Sequence, residues 1–152
     1  MAVFVPPDEF VIYETEHWRV NHRCDATLPG YVMVGAKDTA SDLFNLPHAA
    51  LIEMGLMLSA VVQALEVNFQ PEHIHICRFG HDAGHSLHFH VIPIYDWVRE
   101  AYCQTNSEIQ ADGPSLTLFV SENLTKNRAA VNSTGITVKE AIRVLRQTLQ
   151  TP

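Results

Sequence analysis

Cysteine is scarce and scattered. Cys24, Cys77 and Cys103 are the three in the chain, an odd number with no CxxC pair. That argues against a disulfide framework and fits free thiols in a reducing compartment. Positive charge is also scarce: 10 Lys and Arg stand against 17 Asp and Glu, for a net charge of −7. Such a surface is a poor counterion for nucleic acid or anionic lipid, so neither is an expected partner. It does not exclude a phosphate-bearing small molecule, because a few local donors outweigh a distant net charge. No run of 18 apolar residues escapes interruption by charge, so no membrane span is expected. The opening MAVFVPPDEFVIYETEHW has neither a basic lead-in nor an apolar run of signal length. A cytoplasmic protein is the expectation. Repeats and low-complexity tracts are missing too.

What is present reads as one globular domain over residues 1–152. Apolar residues make up 47% of the chain and charged residues 18%, outside the disordered range. Phe10–Tyr13 and Trp18–Asn21 are short β-like runs. Pro29-Gly30 is a turn signal, and Tyr31–Val34 after it suits a buried strand. Leu46, Leu51, Met54, Leu58, Val61, Val62 and Leu65 recur at three- and four-residue steps, which predicts a long helix with Pro47 in its first turn. Period-two alternation over Ile74–Arg78 and Ser86–Ile92 predicts an antiparallel pair with a long connection, and Pro93 ends the ladder or puts it at an edge. YDWVREAYCQ suits a short helix, GPSLTLFVSE one more strand, and TGITVKEAIRVLRQTLQ a closing helix capped by Thr137 with Glu140 at its N3. An α+β fold with a mostly antiparallel sheet is the natural assembly.

Chemistry concentrates in GHDAGHSLHFHVIPIYDW, Gly80 to Trp97, which holds four of the nine histidines. On a strand, Ser86, His88 and His90 project to one side and Leu87, Phe89 and Val91 to the other. The loop before them adds Arg78, His81, His85 and two glycines, Gly80 and Gly84, that let the backbone approach a ligand. Imidazoles, a guanidinium, a hydroxyl and backbone N–H groups on one volume suit phosphate oxygens. They also suit a nucleophilic ring nitrogen.

SLHFHVIP resembles the signature of the histidine triad (HIT) superfamily, His-φ-His-φ-His-φ-φ with φ apolar. His88 and His90 match its second and third histidines. Leu87, Phe89, Val91 and Ile92 match its apolar positions. Ser86 stands where the first histidine would be. The order of elements over residues 10 to 97 is also similar to the family. The resemblance implies a five-stranded, mostly antiparallel sheet with one long helix and a C-terminal helix. It implies attack at the α-phosphate of a nucleotide, with His88 as nucleophile in a nucleotidyl-histidine intermediate and His90 on the phosphate oxygens. It implies no cofactor and no metal in the protein site. Dinucleoside polyphosphates or nucleoside phosphoramidates are the implied substrates, and a homodimer the implied assembly. Arg78, His81, Gly84 and His85 are the candidate phosphate-side groups, and Asn21, His22 and Asp25 the candidates for base and ribose.

The chain departs from the family in three places. Ser86 can donate and accept a hydrogen bond but cannot become cationic. Tyr31 follows Pro29-Gly30 where many members carry histidine. Arg78 lies near where many members have asparagine. Without a gap, Arg23 falls at the family's acidic ribose position, two residues before Asp25. Two other readings stand beside the enzyme: a nucleotide-binding HIT protein without catalysis, and a metal-binding protein that uses His81, His85, His88 and His90. Whether His73 and His75 share the site depends on register, which the sequence does not fix.

Overall fold

A computed structural model describes residues 3–80, 83–126 and 135–150. Five strands form one antiparallel sheet in the order β1-β2-β3-β5-β4: β1 (Val11–Glu14), β2 (Trp18–His22), β3 (Val32–Ala36), β4 (His73–Cys77) and β5 (His88–Ile94). Four helices complete the fold: α1 (His48–Phe69), α2 (Asp96–Asn106), α3 (Gly113–Asn123) and α4 (Val138–Gln150). The architecture is α+β, as the patterning predicts.

Alternation along each strand sorts the residues onto two faces. One face carries Trp18, Val20, Val32, Val34 and Val91, buried under Met57, Val61 and Leu65 of α1 and Leu145 of α4. The Trp18 indole N–H donates to the Ala50 carbonyl of α1 at 2.9 Å, so its buried polar atom is satisfied. α1 is long and apolar enough to cross a membrane by length and composition alone. Its Ala50, Met57, Val61, Ala64 and Leu65 instead build this protein core.

The opposite face is only half covered. Ile92, Ile94 and Tyr31 pack there with Val98 and Tyr102 of α2 and Leu116, Phe119 and Val120 of α3. The rest of that face lines a cavity.

One element differs from the expectation. GPSLTLFVSE forms helix α3 rather than a strand. Asp112 caps it by accepting the Ser115 N–H at 2.8 Å, and the buried set Leu116, Phe119, Val120 and Leu124 keeps helical spacing while Leu118 stays exposed. Strand β5 also runs on through Pro93 to Ile94. Its pairing with β3 stops at Val32↔Val91, so Pro93 lies where β5 is locally an edge on that side. At α4, the Thr137 hydroxyl accepts the Glu140 N–H at 3.1 Å, as expected, whereas the Glu140 carboxylate turns to Arg143.

Candidate active site

The open part of the sheet is a floor of lateral rows. Arg19 of β2 pairs with Gly35 of β3, which pairs with His88 of β5. One step on, Asn21, Met33 and His90 make the next row. Gly35 leaves the middle of the first row bare; a Cβ there would lie 3.8 Å from the His88 Cβ. Over this floor lies a cavity of about 400 Å³, in the range of small-molecule sites. Arg23, Cys24 and Asp25 wall one side, and His85, Ser86, Phe4 and Pro6 wall the other.

The His88 ring is fixed by its own strand. Its Nδ1 lies 2.8 Å from the Ser86 carbonyl oxygen. A carbonyl can only accept, so Nδ1 carries a proton, and in the neutral ring the lone pair is then on Nε2. The Ser86 hydroxyl is engaged elsewhere, donating to the Ala36 carbonyl at 2.6 Å. His88 and His90 are adjacent, with ring centroids 5.2 Å apart. His90 is 7% exposed, with the Phe79 ring edge-on at 4.9 Å. Its Nδ1 meets the Tyr31 hydroxyl at 2.9 Å.

Behind that hydroxyl stands an ion pair. Arg23 Nη1 donates to the Tyr31 oxygen at 3.0 Å, and Arg23 Nε donates to Asp25 at 2.6 Å. Partial burial works to raise the Asp25 pKa, but the Arg23 guanidinium outweighs it and holds the carboxyl below its ordinary value. Gly30 makes the turn that delivers Tyr31. Its φ is +84°, and a Cβ there would meet Leu65 and Tyr95 at 3.2 Å.

Several sequence candidates therefore converge: Ser86, His88, His90, His85, Asn21 and Asp25 all line the cavity. His85 reaches it because β5 begins only at His88, so alternation does not yet govern residue 85. Its ring lies 5.7 Å from that of His88.

Others do not converge. His22 is on the covered face, with 0% exposure, its Nδ1–H donating to the Arg23 carbonyl at 2.9 Å. Alternation sends it there, between Asn21 and Arg23 on the site side. Burial lowers its pKa to about 4, so it is a neutral core histidine. Arg78 is drawn away from the cavity by Asp42 at 3.3 Å and the Ser41 carbonyl at 2.7 Å. Gly84 contributes backbone only: at φ +84°, its carbonyl accepts the Phe4 N–H at 2.7 Å. His81 lies outside the described residues. His75 shares the sheet face of His90 but sits under α3, bonded to Thr117 Oγ1 at 2.9 Å. Among the described residues, no three His, Cys, Asp or Glu side chains group to hold a metal ion.

Arg19 and Arg23 line the cavity without having been singled out as ligand groups. The signal was available, since strict alternation with Asn21 places both on its side. Met33 and Gly35 follow by the same alternation, opposite Val32 and Val34, whereas Phe4 and Pro6 had no comparable signal.

The HIT domain family model matches residues 7–96. The chain belongs to the HIT family. Solved structures share its fold at low identity. A zinc-bound histidine triad family protein from Mycobacterium smegmatis aligns with a TM-score of 0.57 at 16% identity, over 92% of this chain and 83% of that one. Plasmodium falciparum diadenosine triphosphate hydrolase, in complex with cyclomarin A, aligns with a TM-score of 0.56 at 13% identity, over 80% and 76%. A uridylyltransferase aligns with a TM-score of 0.61 at 14% identity, over 95% and 42%. No curated protein matches the chain at a significant level. Membership of this family supports nucleotide processing as the chain's general activity.

Proposed function

We propose that this HIT protein is a nucleotide hydrolase or nucleotidyl transferase that works at the α-phosphate through His88. The observation that carries the reading is the 2.8 Å contact of His88 Nδ1 with the Ser86 carbonyl, in a ring that lines the cavity. In the neutral ring it puts the proton on Nδ1 and leaves the lone pair on Nε2, the nitrogen that acts as nucleophile. The contact comes from the backbone, so replacing the first triad histidine with serine does not remove it.

In the first step, the Nε2 lone pair forms an N–P bond while the bond from phosphorus to the leaving group breaks, and the leaving group departs with that electron pair. In the second, water attacks phosphorus, the N–P bond breaks, and the imidazole regains its lone pair as the water proton is released. Arg19, which also pairs with Glu14, and His90 line the cavity and supply the positive potential that such a transfer needs. Asn21 and Asp25 face base and ribose. Dinucleoside polyphosphates or nucleoside phosphoramidates are the substrates we favour.

The second reading, binding without turnover, draws on one observation: the Ser86 hydroxyl is tied to Ala36 and does not stand behind the nucleophile. One experiment separates the two. Purified protein is incubated with a radiolabelled dinucleoside polyphosphate, quenched in base and examined for label on protein. Base-stable, acid-labile label and turnover, both abolished in His88→Ala by roughly a thousand-fold or more, support the enzyme. Binding without label or turnover supports the second reading.

We further propose a homodimer, joined through the sheet edge. β4 has a strand neighbour on one side only, and Ile76, Phe79 and Leu118 are exposed beside it. Light scattering at micromolar concentration would return a monomer if this is wrong. The three free thiols fit a cytoplasmic setting.

A further inference from the structure

The Tyr31 hydroxyl has one proton and two partners. It is buried, at 1% exposure. Arg23 Nη1, at 3.0 Å, has only protons to give. The remaining contact is His90 Nδ1 at 2.9 Å, so the phenol proton goes there. Donor and acceptor roles are thus set in sequence: Arg23 donates to Tyr31, and Tyr31 donates to His90.

Arg23 cannot easily turn away. Asp25 holds its other edge through Nε at 2.6 Å and Nη2 at 3.4 Å, and the guanidinium also sits 5.2 Å from the Tyr31 ring centroid. Asp25 is itself anchored by the Lys126 N–H at 3.2 Å. Burial raises the Tyr31 pKa, with the Arg23 charge opposing, so the phenol keeps its proton at neutral pH.

We propose that Tyr31 is a positioning residue, held by Arg23 and Asp25, that fixes His90 as the tautomer with its proton on Nε2. This inference rests on the α-phosphate reading above. The fixed tautomer makes His90 a permanent donor to a phosphoryl oxygen, with no proton to rearrange during transfer. In this arrangement, a phenol backed by an ion pair does its work through His90 and does not touch the reacting atoms.

The test reads the tautomer directly. Nitrogen NMR of ¹⁵N-histidine-labelled protein at neutral pH should show His90 protonated on Nε2 and bare on Nδ1. Tyr31→Phe should turn this signal into a tautomer mixture and lower kcat by roughly ten-fold, with KM within about two-fold. The acid limb of its kcat–pH profile should move to higher pH. A wild-type His90 with its proton on Nδ1, or on both nitrogens, overturns the inference without any variant. So does a Tyr31→Phe protein whose His90 signal, rate and pH profile all match wild type. Turnover that persists in His88→Ala would instead sink the nucleotidyl-histidine reading and leave the tautomer result standing.

Discussion

Strands β2, β3 and β5 show two different faces. Toward α1 they present Trp18, Val20, Val32, Val34 and Val91, which fill a closed layer. Toward the cavity the same strands present Arg19, Asn21, Met33, Gly35, His88 and His90. The first face is defined by volume and the second by donors and acceptors. Each is rigid because of the other: the packed side locks the strand register, and register sets the rows in which Gly35 lies beside His88. Changes on the packed face should therefore cost stability first, and changes on the polar face should cost ligand first.

Trp18→Ala should have the largest effect on the packed face. Loss of a fully buried indole is expected to cost about 4 kcal/mol in urea unfolding. A loss below about 1 kcal/mol would mean that the α1 layer does not depend on filled volume.

His22 lies on the packed face, and it should report through pH. Its pKa is about 4, below the ordinary 6.5, because burial disfavours the charged ring. Between those values the unfolded chain binds a proton that the folded chain does not. Stability is therefore full above pH 6.5, falls as pH drops, and is lower by about 3 kcal/mol once pH passes 4. His22→Asn keeps a side-chain N–H and cannot titrate. Its unfolding free energy should be flatter over this window, and an unchanged slope would assign the acid sensitivity to other groups.

Gly35→Val tests the polar face. The added branch fills the bare middle of the row beside His88, and no positive φ stands in its way. KM should rise by about ten-fold, roughly 1.4 kcal/mol, with thermal stability held or slightly raised. A variant that melts early with KM unchanged would reverse the division between the faces.

Much of this was legible in the sequence where local rules govern. Alternation in β5 separated His88 and His90 from Leu87 and Val91, and the same rule in β2 separates Arg19, Asn21 and Arg23 from His22. α3 misled because Leu116, Leu118 and Val120 alternate, while Leu116, Phe119 and Val120 also keep helical spacing; burial of Phe119 and exposure of Leu118 decide between them. Arg78 was misplaced because its orientation is set by Asp42, in a segment with no pattern of its own. The Tyr31–His90 bond joins residues 59 apart in the chain, and no local rule encodes a pairing across that separation.

Phe4 has a practical consequence. It borders the cavity, its N–H is tied to Gly84, and its ring lies 4.9 Å from His85. Anything joined ahead of it leaves from the rim of the site. An affinity tag or fusion partner placed there would begin beside the cavity that His85 and His88 line. A tag beyond α4, whose Ile142 and Leu145 pack on the opposite face of the sheet, is the better choice for every assay above.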